Sequence, residues 1–457
     1  MTPRTVGVIA VGRPTFDLDL GRTQASAAID ALTAAGIDVV GDAEPVLEPE
    51  AVGPAISRWP AQPDLVVVLQ ATFTDSRFVE EVFAATPIDV GVWAFPERRG
   101  GGRLRLNSLC GMILASFAAG VADRPMRHLY LDPGAAASGD RIRRWIEDDL
   151  VPRPPISLPA AGEVGPAARA VLDRLSGSQI GVVGDPPPGF GPCRVQPDAE
   201  VLVRRAGVKL EPTPIGPVLA RVGPDARPAR PDLPGVGELD GRAVARAVEL
   251  RTVLHDLADE SRWDALAVRC WPETFDELGC AACAALAELN EGGLPAGCEA
   301  DALGALTMLV LGWLGETRPF LADLVDADPG DDTAAVWHCG VAPADMAAPD
   351  TVRAGVHPNR QVPLVQLSAL RPGTATVARL SQSRGVPRMV VGRVEVLDAP
   401  CPYVGSGGIV RFERPVDAVL ETVLAEGLEH HLALVYGDVV DDVRGLAAGL
   451  GVPIVEL

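Results

Sequence analysis

The chain contains a single lysine, Lys209, and arginine supplies almost all of its 40 basic side chains. This scarcity argues against Schiff-base or pyridoxal chemistry, which requires a lysine in the active site. Acidic residues number 61, so the net charge is −21. A surface with that charge repels phosphate backbones and anionic lipids, and we therefore expect neither a nucleic-acid partner nor a membrane partner.

Long apolar segments are missing as well. The longest, residues 303–314, is too short to span a bilayer, and the N-terminus leads into the apolar run 6–11 without a secretory leader pattern. We predict a cytoplasmic protein whose eight cysteines are free thiols. Cys280 and Cys283 form one CxxC motif inside a helical apolar pattern. No second such pair accompanies it, so we interpret both cysteines as packing residues.

The remaining pattern predicts the fold class. Apolar runs alternate with helical patterns up to about residue 314, as in buried parallel sheets. A proline-rich stretch at 151–159 interrupts this alternation and predicts a linker. Several short strands separated by turn residues follow between 362 and 412. We predict an α/β fold with two doubly wound domains, residues 1–155 and 156–330, followed by a β-rich, barrel-like domain over residues 331–457.

A phosphate-binding loop is not expected after the predicted strand at 179–183. Three consecutive prolines, 186–188, follow that strand and remove the backbone N–H donors that such a loop uses. No Gly-Lys-Ser/Thr sequence follows them either. The second domain therefore lacks the sequence signature of a nucleotide triphosphate site.

Acidic and imidazole side chains stand in or beside apolar segments at several points. Glu299 stands at the start of a predicted apolar helix, where a carboxylate also suits the helix dipole. Asp323 lies in the apolar strand 320–325, where an unpaired carboxylate is costly unless it faces water at an edge. His338 lies in the strand 334–339 and could equally be a hydrogen-bonded core residue. Carboxylate and imidazole together are ligands for a divalent cation such as Mn²⁺.

Histidine is scarce, with six residues, yet His430 and His431 are adjacent at the start of a predicted strand. Neighbouring residues of a strand point to opposite faces. At most one of the two can therefore face a given site unless the backbone bends, and the other would support that ligand or contact substrate.

The order of these motifs resembles the L-fucose isomerase and L-arabinose isomerase superfamily. The matching segments are Cys-Glu-Ala-Asp-Ala-Leu-Gly-Ala-Leu from 298, Phe-Leu-Ala-Asp from 320, Trp-His-Cys-Gly from 337 and the late histidine pair, and further similarity lies in Val-Trp-Ala-Phe-Pro-Glu from 92. The resemblance extends over essentially the whole chain, with two α/β domains before a β-rich one.

That resemblance implies a metal-dependent aldose–ketose isomerase that works through an enediol. It assigns Glu299 and Asp323 as metal-binding and proton-transferring carboxylates, His431 as the metal-binding imidazole and His338 as an additional histidine near the metal. The implied cofactor is Mn²⁺ or another divalent cation. The implied assembly is a closed homo-oligomer, a trimer or hexamer, whose sites are completed by a neighbouring chain.

The substrate stays open at this point among a deoxyhexose, a pentose and a modified sugar such as a sulfonated hexose. His430, Trp93 and Trp271 are candidate substrate contacts, although core packing explains an aromatic residue at least as well. Two other functions fit the same pattern. One is a sugar-binding or regulatory protein without catalysis, and the other is a lyase or epimerase.

Overall fold

The first third of the chain forms a parallel sheet with helices between its strands. The computed structural model describes residues 5–135, 138–147, 163–223 and 232–457. The elements of this region are β1 (Thr5–Val11), α1 (Leu18–Ala34), β2 (Asp38–Val46), α2 (Val52–Ile56), β3 (Leu65–Gln70), α3 (Arg77–Ala85), β4 (Val90–Ala94), α4 (Ser108–Val121), β5 (Met126–Tyr130) and α5 (Ser138–Glu147). Among the described residues the strand order is β2-β1-β3-β4-β5, all parallel, which is a doubly wound arrangement.

The middle of the chain contains a second, shorter parallel sheet. Its elements are α6 (Pro166–Leu175), β6 (Gln179–Val183), α7 (Pro197–Arg205), β7 (Lys209–Thr213), α8 (Ile215–Leu219), α9 (Gly241–Ser261), β8 (Ala265–Val268), α10 (Cys283–Glu291), β9 (Ala296–Gly297) and α11 (Ala302–Leu314). The described strands are ordered β7-β6-β8-β9. A π-helical turn over Thr274–Leu278 follows β8. Such turns are rare and often occur at functional sites.

The last third is rich in antiparallel strands. Its elements are β10 (Phe320–Asp328), β11 (Thr333–His338), β12 (Arg353–Val356), β13 (Pro363–Ala369), β14 (Gly373–Ser381), β15 (Arg388–Val396), β16 (Ser406–Phe412), α12 (Val416–Ala425), β17 (His431–Tyr436), α13 (Val440–Leu450) and β18 (Ile454–Glu456). Strands β11, β10, β17, β14, β15 and β16 pair in that order, and β16 pairs again with β11. These six described strands therefore close into an antiparallel ring.

The chain divides into two compact units. The first comprises Met1–Arg98, Leu104–Pro155 and Leu420–His430, and the second comprises Arg99–Arg103, Ile156–Val419 and His431–Leu457. The linker predicted at 151–159 lies outside the described residues. The core of the first unit is formed by apolar side chains of the parallel sheet and its helices, among them Leu32, Val67 and Leu69. The second unit contains both the shorter parallel sheet and the antiparallel ring.

The predicted fold class is confirmed, because two parallel α/β sheets precede a large strand-rich region. The eight cysteines are free thiols, as expected. Cys280 and Cys283 are both buried, at 0% and 5% exposure. Across the described ranges, no helix has the length and apolar character needed to cross a membrane.

Candidate metal centre

Asp323 and His431 lie opposite each other on neighbouring antiparallel strands. Asp323 of β10 pairs directly with His431 of β17. Residues that face each other in this way project their side chains to the same side of the sheet. Their side chains are buried together, and Asp323 Oδ1 lies 3.5 Å from His431 Nε2. Strand register therefore unites an acid and an imidazole that are more than a hundred residues apart in the chain.

Glu299 reaches the same histidine from a strained turn. Its backbone and that of Ala300 are left-handed, with φ of 58° and 55°. Non-glycine residues in such a conformation cost about 1–3 kcal/mol each and cluster at functional sites. The turn carries Glu299 Oε2 to 3.5 Å from His431 Nε2. Helix α11 begins only at Ala302, so the expectation that Glu299 starts the helix is wrong.

Asp301 orients the imidazole of His431. Its Oδ2 lies 2.8 Å from His431 Nδ1, so Nδ1 carries the proton that it donates to this carboxylate. The ring thereby presents Nε2 to Glu299 and Asp323. Asp301 also caps α11 by accepting a hydrogen bond from the backbone N–H of Gly304, at 2.9 Å. A Cβ at position 304 would lie 2.5 Å from Asp301 Oδ2, which explains the glycine there.

Arg379 of β14 completes this arrangement with a buried ion pair to Asp301. Its guanidinium donates from Nη2 to Asp301 Oδ1 at 2.9 Å and from Nη1 to Oδ2. Both side chains are 1% exposed. A carboxylate that holds the far nitrogen of an imidazole fixes the ring's tautomer and raises its basicity toward a metal. Arg379 and Asp301 therefore act on His431 and need not touch a ligand.

The charges in this cluster shift two pKa values in opposite directions. Burial would raise the pKa of Asp301, but the charge of Arg379 and the hydrogen bond to His431 hold it well below its usual range. Burial would likewise lower the pKa of His431. The hydrogen bond to Asp301 and the charges of Asp323 and Glu299 outweigh burial and raise it. Without a cation, the imidazole itself is favoured to carry positive charge between the acids.

Asp323 Oδ1 is the atom of this cluster whose surroundings leave it unsatisfied. It is buried, yet it accepts no hydrogen bond from any described residue. A buried carboxylate oxygen without a donor is costly unless an ion or ligand satisfies it. Glu299 Oε2 and Asp323 Oδ1 each lie 3.5 Å from His431 Nε2, and carboxylate oxygen with imidazole nitrogen is the kind of donor that Mn²⁺ and similar divalent ions take.

A softer set of donors overlaps the first at His431. His338 Nδ1 accepts the backbone N–H of Cys339 at 2.8 Å, so its Nε2 faces Cys298 Sγ, at 2.9 Å. Cys298 Sγ also lies 3.9 Å from His431 Nε2. A hydrogen bond with Cys270 and burial raise the pKa of Cys298 well above its usual range. Sulfur and nitrogen donors of this kind favour Zn²⁺ over Mn²⁺.

The two tryptophans proposed as substrate contacts have different surroundings. Trp271 is half-buried, and its indole N–H donates to Glu299 Oε1 at 3.3 Å. Phe190 packs edge-on against it at 5.3 Å between ring centroids. Trp93 is 0% exposed in the core of the first unit, and its N–H donates to the carbonyl of Leu131. Core packing therefore accounts for Trp93, whereas Trp271 borders the candidate centre.

The adjacent histidines belong to different compact units. His430 is buried and ends the last segment of the first unit, and His431 opens β17 in the second unit. Described by itself, the second unit brings His431 to both carboxylates. Cys193, another buried residue of this unit, also offers its sulfur within 4.8 Å of a donor atom of Glu299 and of His431.

Among the residues of this centre that escaped the sequence prediction, two left a signal in the sequence. Asp301 stands immediately before an apolar helical pattern, where aspartate is a preferred N-terminal cap. Arg379 is a charged residue within an apolar strand, the same anomaly that singled out Asp323. Neither pattern names the partner, because Asp301 and Arg379 lie 78 residues apart.

Comparison with known proteins finds similar chains of nearly the same length. A sulfoquinovose isomerase from Alkalicoccus urumqiensis is 28% identical over 463 residues and 99% of each chain. One from Priestia aryabhattai is 29% identical over 96% of each chain, and one from Clostridium sp. (strain MSTE9) is 27% identical over 98% of each. No protein-family model matches the chain.

The solved structures that were matched are too dissimilar to inform the fold or the function of this chain. A conserved domain protein from Vibrio cholerae is 14% identical, covering 65% of this chain and 89% of that one, with a TM-score of 0.21. A score that low does not indicate a shared fold.

Proposed function

We propose that this chain is a metal-dependent aldose–ketose isomerase that acts on a sulfonated hexose, as the names of its curated relatives indicate. The observation that carries the metal-dependent chemistry is the buried, hydrogen-bond-free Asp323 Oδ1 beside His431 Nε2. The relatives span nearly the whole chain, so the similarity is not confined to one domain. Of the substrates that the sequence left open, these relatives favour the sulfonated sugar.

The candidate ligands are Glu299, Asp323 and His431, with His338 beside them. A bound Mn²⁺ or similar ion would polarise the sugar's carbonyl and adjacent hydroxyl oxygens. Asp301 and Arg379 keep His431 in the tautomer whose Nε2 is available to the ion. Trp271 holds Glu299 by one oxygen and leaves its Oε2 on the side of His431.

Glu299 and Asp323 are the proposed proton-transfer groups. Interconversion of an aldose and a ketose removes the proton on C2, moves a hydroxyl proton between the two oxygens and returns a proton to C1. A carboxylate can take the first proton as general base and deliver the last as general acid. The side chains of Glu299 and Asp323 retain 13% and 10% exposure.

Metal analysis followed by a hydrogen-exchange assay tests this function. Purified protein is analysed for bound metal, then incubated in deuterated water with sulfoquinovose and a panel of unmodified sugars. We expect a stoichiometric divalent ion, and deuterium at C2 of sulfoquinovose together with the ketose product. Binding without exchange would instead support a sugar-binding protein. A cleaved product, or one inverted at a carbon, would support the lyase or epimerase.

The assignment within the histidine pair has its own test. His431→Asn should abolish metal binding, because it removes the nitrogen that lies 3.5 Å from both carboxylates. His430→Asn should be milder, about 10–100-fold in activity, if His430 supports a ligand or contacts substrate. The reverse outcome would exchange the two roles.

Assembly is part of the same proposal. We expect a closed homo-oligomer of three or six chains, as the resemblance to the fucose and arabinose isomerases implies. Light scattering at micromolar concentration measures the mass directly. A fully active monomer would contradict this expectation.

A further inference from the structure

Arg360 lies beside the candidate centre, held by aromatic rings. Its guanidinium carbon is 5.9 Å from the ring centroid of Trp271 and 5.4 Å from that of Phe275, which belongs to the π-helical turn. The same Trp271 donates its N–H to Glu299. One indole therefore contacts both a proposed metal ligand and a cation.

Arg360 has no carboxylate partner within the part of the chain that the structure describes. Three other arginines of the second unit are each paired with an acid: Arg269 with Glu273 at 2.6 Å, Arg99 with Asp326 at 2.6 Å, and Arg379 with Asp301. Arg360 is half-buried, so its guanidinium is only partly solvated. Its positive charge remains for a ligand to neutralise.

The turn that carries Arg360 is fixed by its own hydrogen bonds. Gln361 donates from its backbone to the carbonyl of His357 at 2.8 Å and from its side chain to the carbonyl of Pro358 at 2.7 Å. The ring of His357 packs on Phe275 at 5.1 Å. Burial and the nearby charge of Arg360 lower the pKa of His357 to about 3, so this histidine is neutral at physiological pH. Arg360 is therefore the charged group of a rigid turn.

We propose that Arg360 binds the sulfonate group of the substrate and so selects sulfonated over unmodified hexoses. This inference rests on the proposed function. A sulfonate is a permanent monoanion with three acceptor oxygens, and a guanidinium presents a fork of N–H donors that matches two of them. An unmodified hexose carries a neutral hydroxyl where the sulfonated sugar carries its sulfonate. It therefore forms no ion pair with Arg360. The sugar's reacting end would face Glu299 while its charged end faces Arg360, with Trp271 between them.

Paired substrates test the proposal. Steady-state kinetics of Arg360→Gln are compared on sulfoquinovose and on glucose, which carries a hydroxyl in place of the sulfonate. We expect KM for sulfoquinovose to rise about 10–100-fold, the value of hydrogen bonds to a charged group, with little change in kcat. Any slow turnover of glucose should be unaffected. Arg360→Lys keeps the charge but loses the paired N–H donors. Its KM for sulfoquinovose should lie between the values of wild type and Arg360→Gln.

Arg174→Gln is the matched control. Arg174 also stacks on a tryptophan, with its guanidinium 4.2 Å from the ring centroid of Trp313. Within the described residues, neither Arg174 nor Trp313 contacts Glu299, Asp323 or His431. Its kinetics on both sugars should equal those of the wild type. Thermal unfolding of every variant shows whether it is folded. If Arg360→Gln is not folded, the kinetics of Arg360→Lys alone test the role of Arg360.

Binding to metal-free protein separates this proposal from the proposed function. Calorimetry should show wild type binding sulfoquinovose more tightly than glucose, and Arg360→Gln losing that difference, whether or not turnover occurs. Turnover of sulfoquinovose by wild type with an unchanged KM in Arg360→Gln would overturn the role of Arg360 and leave the isomerase intact. An equal loss on both sugars would show that Arg360 only positions Trp271. No sulfoquinovose binding by wild type would overturn both.

Discussion

Buried carboxylates of the two units differ in how their oxygens are satisfied. In the first unit, Asp75 has no exposed side-chain surface, and Arg13 and Arg77 donate to both of its oxygens at 2.5–3.0 Å. In the second unit, Asp323 is 7% exposed, and its Oδ1 accepts no hydrogen bond from the described residues. Both acids are buried, yet of the two only Asp323 has a buried oxygen that accepts no hydrogen bond.

A buried acid is therefore poor evidence of a metal site until its hydrogen bonds are counted. Asp301 illustrates this within the candidate centre itself. It is more deeply buried than Asp323, but Arg379, His431 and the backbone of Gly304 occupy its oxygens. Asp301 supports a ligand, whereas Asp323 is in a position to be one.

Removing either proposed ligand should have the largest effect. Asp323→Asn and Glu299→Gln should each lower kcat by about 10²–10⁴-fold through the lost proton transfer, with a further loss from the weaker metal site. The metal-free form of Asp323→Asn should lose stability where His431 is charged, because Asp323 Oδ1 lies 3.5 Å from the imidazole, and little where the ring is neutral. Metal content, kcat and urea unfolding are measured together. Retention of wild-type turnover by Glu299→Gln would remove the basis of the site assignment.

Asp301→Asn should lose both stability and metal affinity. It leaves the buried Arg379 without its counter-ion, at a cost of about 3–5 kcal/mol, and it frees the ring of His431, at a cost of about 10–100-fold in metal affinity. Urea unfolding of the metal-free protein and titration with Mn²⁺ measure the two effects. A fully stable variant with normal affinity would mean that Asp301 neither anchors Arg379 nor orients His431.

The stability difference between wild type and Asp301→Asn should also depend on pH. The pKa of Asp301 is lowered by folding, so its contribution is present above about 3.9, the pKa of an unfolded aspartate, and is lost as pH falls through the lower folded value. The pKa of His431 is raised, so its contribution is complete below about 6.5 and is lost as pH rises through the raised value. The difference in unfolding free energy between metal-free wild type and metal-free Asp301→Asn should therefore be largest between about pH 3.9 and about pH 6.5. A difference independent of pH would contradict the coupling.

Asp75→Asn should reduce stability but not metal binding. The amide can accept at only one end, so Arg13 or Arg77 loses a partner, at about 1–3 kcal/mol because both arginines are partly exposed. Its control is Asp19→Asn, whose exposed pair with Arg22 should contribute nothing measurable. Thermal unfolding and metal content distinguish the outcomes. Loss of metal with unchanged stability would reverse the contrast between Asp75 and Asp323.

Cys298→Ala should give the smallest effect, a change in metal preference. The thiol belongs to the donor group with His338 and His431 and not to the group that contains Glu299. Affinity for Zn²⁺ should fall several-fold, while affinity for Mn²⁺ should change little, because thiolate favours the softer ion. Competitive titration of the two ions measures this, with Cys280→Ala as the control outside both donor sets. Equal losses for both ions would show that Cys298 only packs.

Periodicity in the sequence accounts for most of the fold. Buried runs such as β3 and β6 have the lengths and apolar character of parallel strands, and β6 occupies the predicted residues 179–183. These features are local, since they depend on side chains a few residues apart. The start of α11 was misplaced because Glu299 and Ala300 take a left-handed backbone that no helix propensity predicts.

The sequence also contained the chemistry of the candidate centre, in the form of two acids and a histidine in apolar segments arranged in a familiar order. It could not distinguish Trp271, beside Glu299, from Trp93, inside a core, because burial depends on distant residues. Nor could it pair Asp301 with Arg379 or choose between His430 and His431. Those relations follow from strand register and from contacts between residues far apart in the chain, which arise only when the ring of strands closes.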